Sequence, residues 1–196
     1  MTDPAPAEVL RACAHLLPPA GRALDLACGA GRNALFLARC GLQVHAWDRD
    51  ARALELLRRA AGQGQVVTEL RDVVAHPPAP GSFDVIVVSR FLERGLCPAL
   101  IEALRPQGLL YYQTFTVEDP TGHGPRNPAF RLAPGELLRL FAPLRLLSYR
   151  EDGLCGDLGR GLRGQAWLVG VRTGNGVRGR RSYQPVLPSG PWRKRG

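Results

Sequence analysis

The chain has 196 residues, 45% of them hydrophobic, and a formal net charge of +9. Such a length and apolar share suffice for one sizeable core, and with no run of about eighteen apolar residues nothing in the sequence spans a membrane. The start, MTDPAPAEVLRAC, has an acid and neither a positive opening nor a long apolar stretch, which argues against export and for the cytoplasm.

Ala7 to Leu17 reads as a short amphipathic helix ahead of Pro18 and Pro19. The run Ala23 to Asn33, ALDLACGAGRN, is an apolar strand with an acid near its end, then a glycine turn, then an alanine-rich helix beginning near Asn33. Leu42 to Trp47 is a second apolar strand, ending at Asp48. Asp50 caps a helix over Ala51 to Ala61, with Leu54 and Leu57 on one face. Val66 to Leu70 is a third strand and delivers Asp72. Phe83 to Val88 is continuously apolar, as the centre of a parallel sheet requires. A helix over Cys97 to Leu104 and a fifth strand over Gly108 to Phe115 follow. The Pro- and Gly-rich stretch Thr116 to Ala133 comes next, and then a helix with Pro134 in its first turn that runs to about Phe141. Leu144 to Tyr149 and Gln165 to Val171 close the sheet as an antiparallel pair.

This order predicts an α/β fold: one Rossmann-like, doubly wound, seven-stranded sheet over residues 1–172, mostly parallel with one antiparallel strand. The charge is uneven. Residues 1–171 carry 19 arginines against 17 acids, whereas 172–196 carry six arginines, Lys194 and no acid. From Thr173 onward Gly, Pro, Ser and Arg dominate without apolar periodicity, so 173–196 is expected to be a disordered basic tail. Such a tail can hold nucleic acid through phosphate contacts, with Tyr183 or Trp192 stacking on bases, but a solvated extension is the simpler reading. The five cysteines, at 13, 28, 40, 97 and 155, are odd in number and form no C-x-x-C pair. They fit small buried hydrophobes in a reducing compartment better than disulfides or a zinc site.

Gly29 and Gly31 allow positive φ and close approach of a ligand to the backbone, and the next helix aims its free amides into the same crevice. With Ala34 they satisfy the dinucleotide pattern too, so the glycines alone do not choose a cofactor. Asp25 does. A carboxylate beside the turn repels a pyrophosphate but favours the sulfonium and ammonium of S-adenosylmethionine. Asp48 suits ribose hydroxyls of any nucleoside, and Asp72 is placed to accept from an adenine amino group.

These motifs make the chain resemble a class I S-adenosylmethionine-dependent methyltransferase over roughly Leu24 to Arg172. LDLACGAGRN stands as the donor loop, HAWDRD as the ribose loop, RDV as the adenine loop and FDVIVVSRFLER as the fourth strand. Within that class it is similar to small bacterial tellurite-resistance (TehB-like) methyltransferases, through Tyr111 to Phe141 and YREDG at 149–153. The resemblance implies that Asp25, Ala27, Gly29 and Gly31 surround the methionine part of the donor. It further implies that Asp48 and Arg49 form the ribose loop, that Asp72 and the Val73 amide recognise adenine, and that Ser89 and Arg90 line the methyl-transfer site, with S-adenosylhomocysteine as product. Relatives commonly carry histidine where this chain has Glu93, so no proton-accepting role carries over to that position.

Methyl transfer is an in-line displacement that asks the protein chiefly for alignment and exclusion of water. A soft acceptor such as a thiolate or a chalcogen oxyanion needs no base. Arg90, Arg94 and Arg126, with His123, are the candidates for anchoring a small anionic acceptor. No metal is expected. A short-chain reductase is excluded because the only lysine is Lys194, and a nucleic-acid amino-methyltransferase lacks its Pro-Pro-aromatic turn, since Ser89-Arg90-Phe91-Leu92 stands there. A non-catalytic module that binds S-adenosylmethionine is the rival from another class, and an RNA-directed methyltransferase using the tail is another.

Overall fold

In the computed structural model, which describes residues 5–62 and 64–174, the apolar run Arg22–Leu26 (β1) lies inside a seven-stranded sheet. The others are β2 (Gln43–Asp48), β3 (Val66–Leu70), β4 (Phe83–Ser89), β5 (Leu104–Phe115), β6 (Arg145–Glu151) and β7 (Gln165–Val171), in the order β3-β2-β1-β4-β5-β7-β6. The first five are mutually parallel, while β7 runs antiparallel to both β5 and β6. This is the expected doubly wound sheet with one reversed strand. The strand order turns back between β1 and β4, and a crevice opens beyond the carboxyl ends of such a pair.

Alternate residues of the central strands face opposite sides, so the sheet divides two cores. Ala23, Val85, Val87 and Tyr111 meet the helices α1 (Glu8–Ala12), α2 (Arg32–Arg39) and α3 (Ala51–Ala61). Leu24, Leu26, Ile86 and Tyr112 meet α4 (Cys97–Ala103) and α5 (Glu136–Leu140). The Asp50 carboxylate accepts from the amides of Arg52 and Ala53, which starts α3, and Leu54 and Leu57 on its inner face are fully buried. Burying each stabilises the fold by about 2 kcal/mol.

Three boundaries differ from the sequence reading. The helix expected over Ala7 to Leu17 is broken at Cys13, whose carbonyl accepts from the Tyr111 hydroxyl and from the Leu16 amide, so a 3-10 turn over Ala14–Leu16 replaces its second half. The fifth strand begins at Leu104 because the ladder bulges there. Phe83 pairs with Leu104 and Val85 with Leu109, while Gln107 takes φ 68° and donates its amide to Arg172. Pro134 is not in the first turn of α5. Gly135, in the left-handed region, donates its amide to Glu151, and the helix starts only at Glu136.

Among the described residues no helix is long and apolar enough to cross a membrane. The expectation of a disordered tail over 173–196 lies, from residue 175 onward, outside the described residues.

Candidate active site

The chain leaves β1 through two unusual backbone positions. Ala27 sits at φ 55°, in the left-handed region that L residues rarely adopt, and Gly29 at φ 54° follows it. A β-carbon at Gly29 would meet nothing within 4 Å, so open space lies against this backbone. Gly31 is different. At φ 77° its absent β-carbon would fall 2.3 Å from Leu57, so this glycine makes room for the α3 side chain. The two glycines, alike in sequence, therefore divide the work between cradle and packing.

Asp48 holds the turn in place, its Oδ2 accepting from the Gly29 amide at 2.7 Å and its Oδ1 from the Asp50 amide at 2.9 Å. Asp25 lies deeper and is only 1% exposed. Its Oδ2 accepts from the Ala34 amide at the start of α2, and no hydrogen bond reaches its buried Oδ1. Burial pushes this carboxyl up to about 7, while the Ala34 amide, the Asn33 side chain and the Arg32 charge pull it down. The sequence reading set Asp25 against the ligand. The structure sets it one layer behind the cavity wall, as an unmatched acceptor beneath the donor loop. The Cys28 thiol in that loop is buried and pushed far up by desolvation and by the Asp25 and Asp48 charges, which makes it an inert hydrophobe.

A cavity of about 490 Å³ opens at the strand ends. Ala27, Asp48, Arg49, Asp72, Val73 and Arg90 line it, which brings together six of the residues read from sequence. Asp72 Oδ1 accepts from the amides of Val74 and Ala75, which hold its carboxyl below the usual range. Sequence reasoning missed the opposite wall, Phe91, Leu92 and Glu93, together with Arg71, whose guanidinium lies 4.0 Å over the Trp47 ring. The signal for the first three was their position directly after Arg90. Glu93 accepts from the Gly95 amide. Ser89 is not on this wall, and its hydroxyl accepts from Arg32.

A second cavity, of about 600 Å³, adjoins the first at Arg90, which lines both. His123 is on its wall as well, with Glu8, Phe115, Leu158 and Gln165, none of which the sequence singled out. Two expected anchors are elsewhere. Arg94 is tied to both carboxylate oxygens of Glu136 and to the carbonyls of Ala129 and Arg131, so its guanidinium braces a loop and does not face a ligand. Arg126 is exposed and lines neither cavity, while Arg131 pairs with Asp119 at 3.1 Å.

A sheet of this order, with a left-handed glycine turn after β1 and acids at the tips of β2 and β3, has the fold of solved S-adenosylmethionine-dependent methyltransferases. The model of the family described as Tellurite resistance protein TehB matches residues 2–160, and the chain belongs to that family. A probable S-adenosyl-L-methionine-dependent methyltransferase TehB of Haemophilus influenzae is 28% identical over 142 residues, which cover 67% of this chain and 48% of that protein. A ubiquinone biosynthesis O-methyltransferase of Albidiferax ferrireducens is 32% identical over 110 residues, 51% of this chain and 44% of that one. The chain thus spans about half the length of the curated relatives it matches. In fold it is similar to the crystal structure of Haemophilus influenzae TehB, with a TM-score of 0.65 at 22% identity, covering 85% of this chain and 62% of that one. It is equally similar to a Mesorhizobium loti S-adenosylmethionine-dependent methyltransferase, with a TM-score of 0.66 at 18% identity over 85% and 98% of the two chains.

Proposed function

We propose that this protein transfers a methyl group from S-adenosylmethionine, held in the first cavity, to a small anionic or soft acceptor held in the second. The observation that carries this reading is Arg90, which sits at φ 58° just past β4 and walls both cavities at once. Backbone strain of this kind persists where surrounding structure enforces it, often at reaction centres.

The residues present fit the donor. The open space at Gly29, beside the cavity wall residue Ala27, would admit a ligand to the backbone, and Asp48 with Arg49 and Asp72 with Val73 line the cavity where ribose and adenine would sit. The unmatched Asp25 oxygen supplies negative charge beneath a cationic ligand. When bound, the donor supplies a methyl carbon already activated by the adjoining sulfonium. The chain's own part is alignment. Arg32 fixes the Ser89 hydroxyl at the tip of β4, and Arg90 offers a planar, permanently charged fork to an anion. His123, with Thr121 and Gln165, adds polar groups to the second cavity wall. All five cysteines are free, which suits a reducing compartment, and we infer a cytoplasmic protein.

Calorimetric titration with S-adenosylmethionine, S-adenosylhomocysteine and NAD tests the reading. The first two are expected to bind and NAD is not, and Asp48→Ala is expected to weaken donor binding by about 1–3 kcal/mol through loss of a charged acceptor. Tight binding of NAD with no response to the sulfur ligands would overturn it.

A further inference from the structure

The names of the relatives cover tellurite and quinone-biosynthesis chemistry, so inorganic and organic acceptors are both represented among them. The second cavity distinguishes the two. At about 600 Å³ it lies in the range that holds drug-sized organic ligands, roughly 300–1,000 Å³. A four-atom oxyanion fills on the order of 100 Å³, scaling from the roughly 30 Å³ of one water in the liquid. A bare oxyanion would leave most of the cavity to solvent, which defeats the exclusion of water that the displacement requires.

The lining gives the chemistry. The lining is mixed, with Phe115, Leu158 and Leu162 as its large apolar members among polar side chains and glycines, and Leu158 stays 45% exposed within a cavity wall. The charges are mostly committed: Arg163 donates to the carbonyls of Asp152, Gly153, Cys155, Asp157 and Arg160, and Glu8 pairs with Arg150 at 3.3 Å. Arg90, which stands at the junction with the first cavity, forms no salt bridge within 4.0 Å to any described residue. A cation at the junction and apolar side chains elsewhere on the wall describe one kind of guest.

We infer that the acceptor is an organic molecule with an anionic nucleophile, a thiolate or phenolate, at Arg90 and a ring-sized apolar body against Phe115 and Leu158. This rests on the methyl-transfer reading above. The nucleophile's lone pair forms the bond to the methyl carbon as the carbon–sulfonium bond breaks, the electron pair of that broken bond stays on the donor sulfur, and the product, a thioether from a thiolate or an ether from a phenolate, is neutral. An acceptor already anionic surrenders no proton, so no base is required.

The experiment compares thiophenolate with methanethiolate, selenite and tellurite, reading S-adenosylhomocysteine formation per concentration of anion. Calorimetric affinity for protein saturated with S-adenosylhomocysteine is the second readout. Thiophenolate is the less basic and intrinsically weaker nucleophile of the two thiolates, so a preference for it comes from the body and not from the sulfur. It is expected to lead the other three by about tenfold or more in both readouts, the worth of one buried apolar contact. Leu158→Asp, at an exposed position, removes that lead while affinity for S-adenosylhomocysteine stays unchanged. Equal or reversed ranking, a thiophenolate affinity no better than that of tellurite, or a lead that survives Leu158→Asp overturns the inference and leaves the methyl-transfer reading standing. Absence of S-adenosylhomocysteine binding by the unaltered protein overturns both.

Discussion

The two cavities are walled by different kinds of structure. Ala27, Asp48, Asp72 and Arg90 stand at or within two residues of the tips of parallel strands whose register is set by the ladder between β1, β2, β3 and β4. The second cavity draws its walls from 115–124 and 158–165, segments organised around single arginines. Arg131 donates to the carbonyls of Thr116, His123 and Pro125 and to the Asp119 carboxylate, and Arg163 gathers five carbonyls between 152 and 160. Donor-side geometry therefore inherits the stability of the whole sheet. Acceptor-side geometry rests on a few side chains and can change without unfolding the rest.

The sharpest break of this contrast is Gly31→Val. The new side chain needs the space of Leu57 and a left-handed backbone, and together these cost about 3–5 kcal/mol of global stability. Gly29→Ala, with open space around it, costs only about 1–2 kcal/mol for the backbone but fills the cradle and weakens donor affinity. Chemical denaturation and donor titration on both variants check the pair. Similar stability losses at the two positions would contradict the division of labour between the glycines.

The same contrast explains what could be read without coordinates. β4 and β7 carry near-unbroken apolar runs, and Asp48 and Asp72 stand at or just past strand ends at the interval a crevice needs, so the sheet and much of the first cavity's lining were legible. Local signals of this kind depend on neighbours in sequence. Arg94 and Arg131 were not legible: Arg94 is bonded to partners 35 to 42 residues away, and the pairing of Arg131 with Asp119, twelve residues back, is a matter of loop geometry. Leu158 lies in a glycine-rich loop without periodicity, and nothing adjacent marks it as a cavity wall. The start of α5 was misplaced for the same reason, because its cap depends on Glu151, sixteen residues on.

Arg131→Met tests the acceptor side. It removes four hydrogen bonds and leaves Asp119, nearly buried, without its cation. A local loss of about 2–3 kcal/mol is expected, smaller than breaking a fully buried pair because the Thr121 amide and hydroxyl still support Asp119. Hydrogen exchange should rise over 116–133 and the acceptor KM should increase, while S-adenosylhomocysteine affinity holds. A parallel loss of donor affinity would show that the two sides are one cooperative unit.

The remaining effect, on the donor side, is one of pH. Asp25 is pushed up to about 7 in the folded protein, so between roughly pH 4, the unfolded value, and about 7 the native state holds the proton more tightly. That contribution to stability is fully present below pH 4 and is lost as pH climbs through about 7. Several carboxylates, Asp72, Asp119, Asp152 and Glu136, are shifted downward and give the opposite slope, so the total curve mixes both signs. The difference between the protein and its Asp25→Asn variant isolates the one group. Asn keeps an oxygen for the Ala34 amide and carries no charge, so the variant should gain relative stability steadily from pH 4 to 7 and level off above it. Donor affinity should fall in the variant above pH 7, where the unaltered protein presents a buried negative charge beneath a cationic ligand. A stability difference independent of pH would mean that the Asp25 carboxyl is not held protonated by burial, and its role under the glycine turn would then be hydrogen bonding alone.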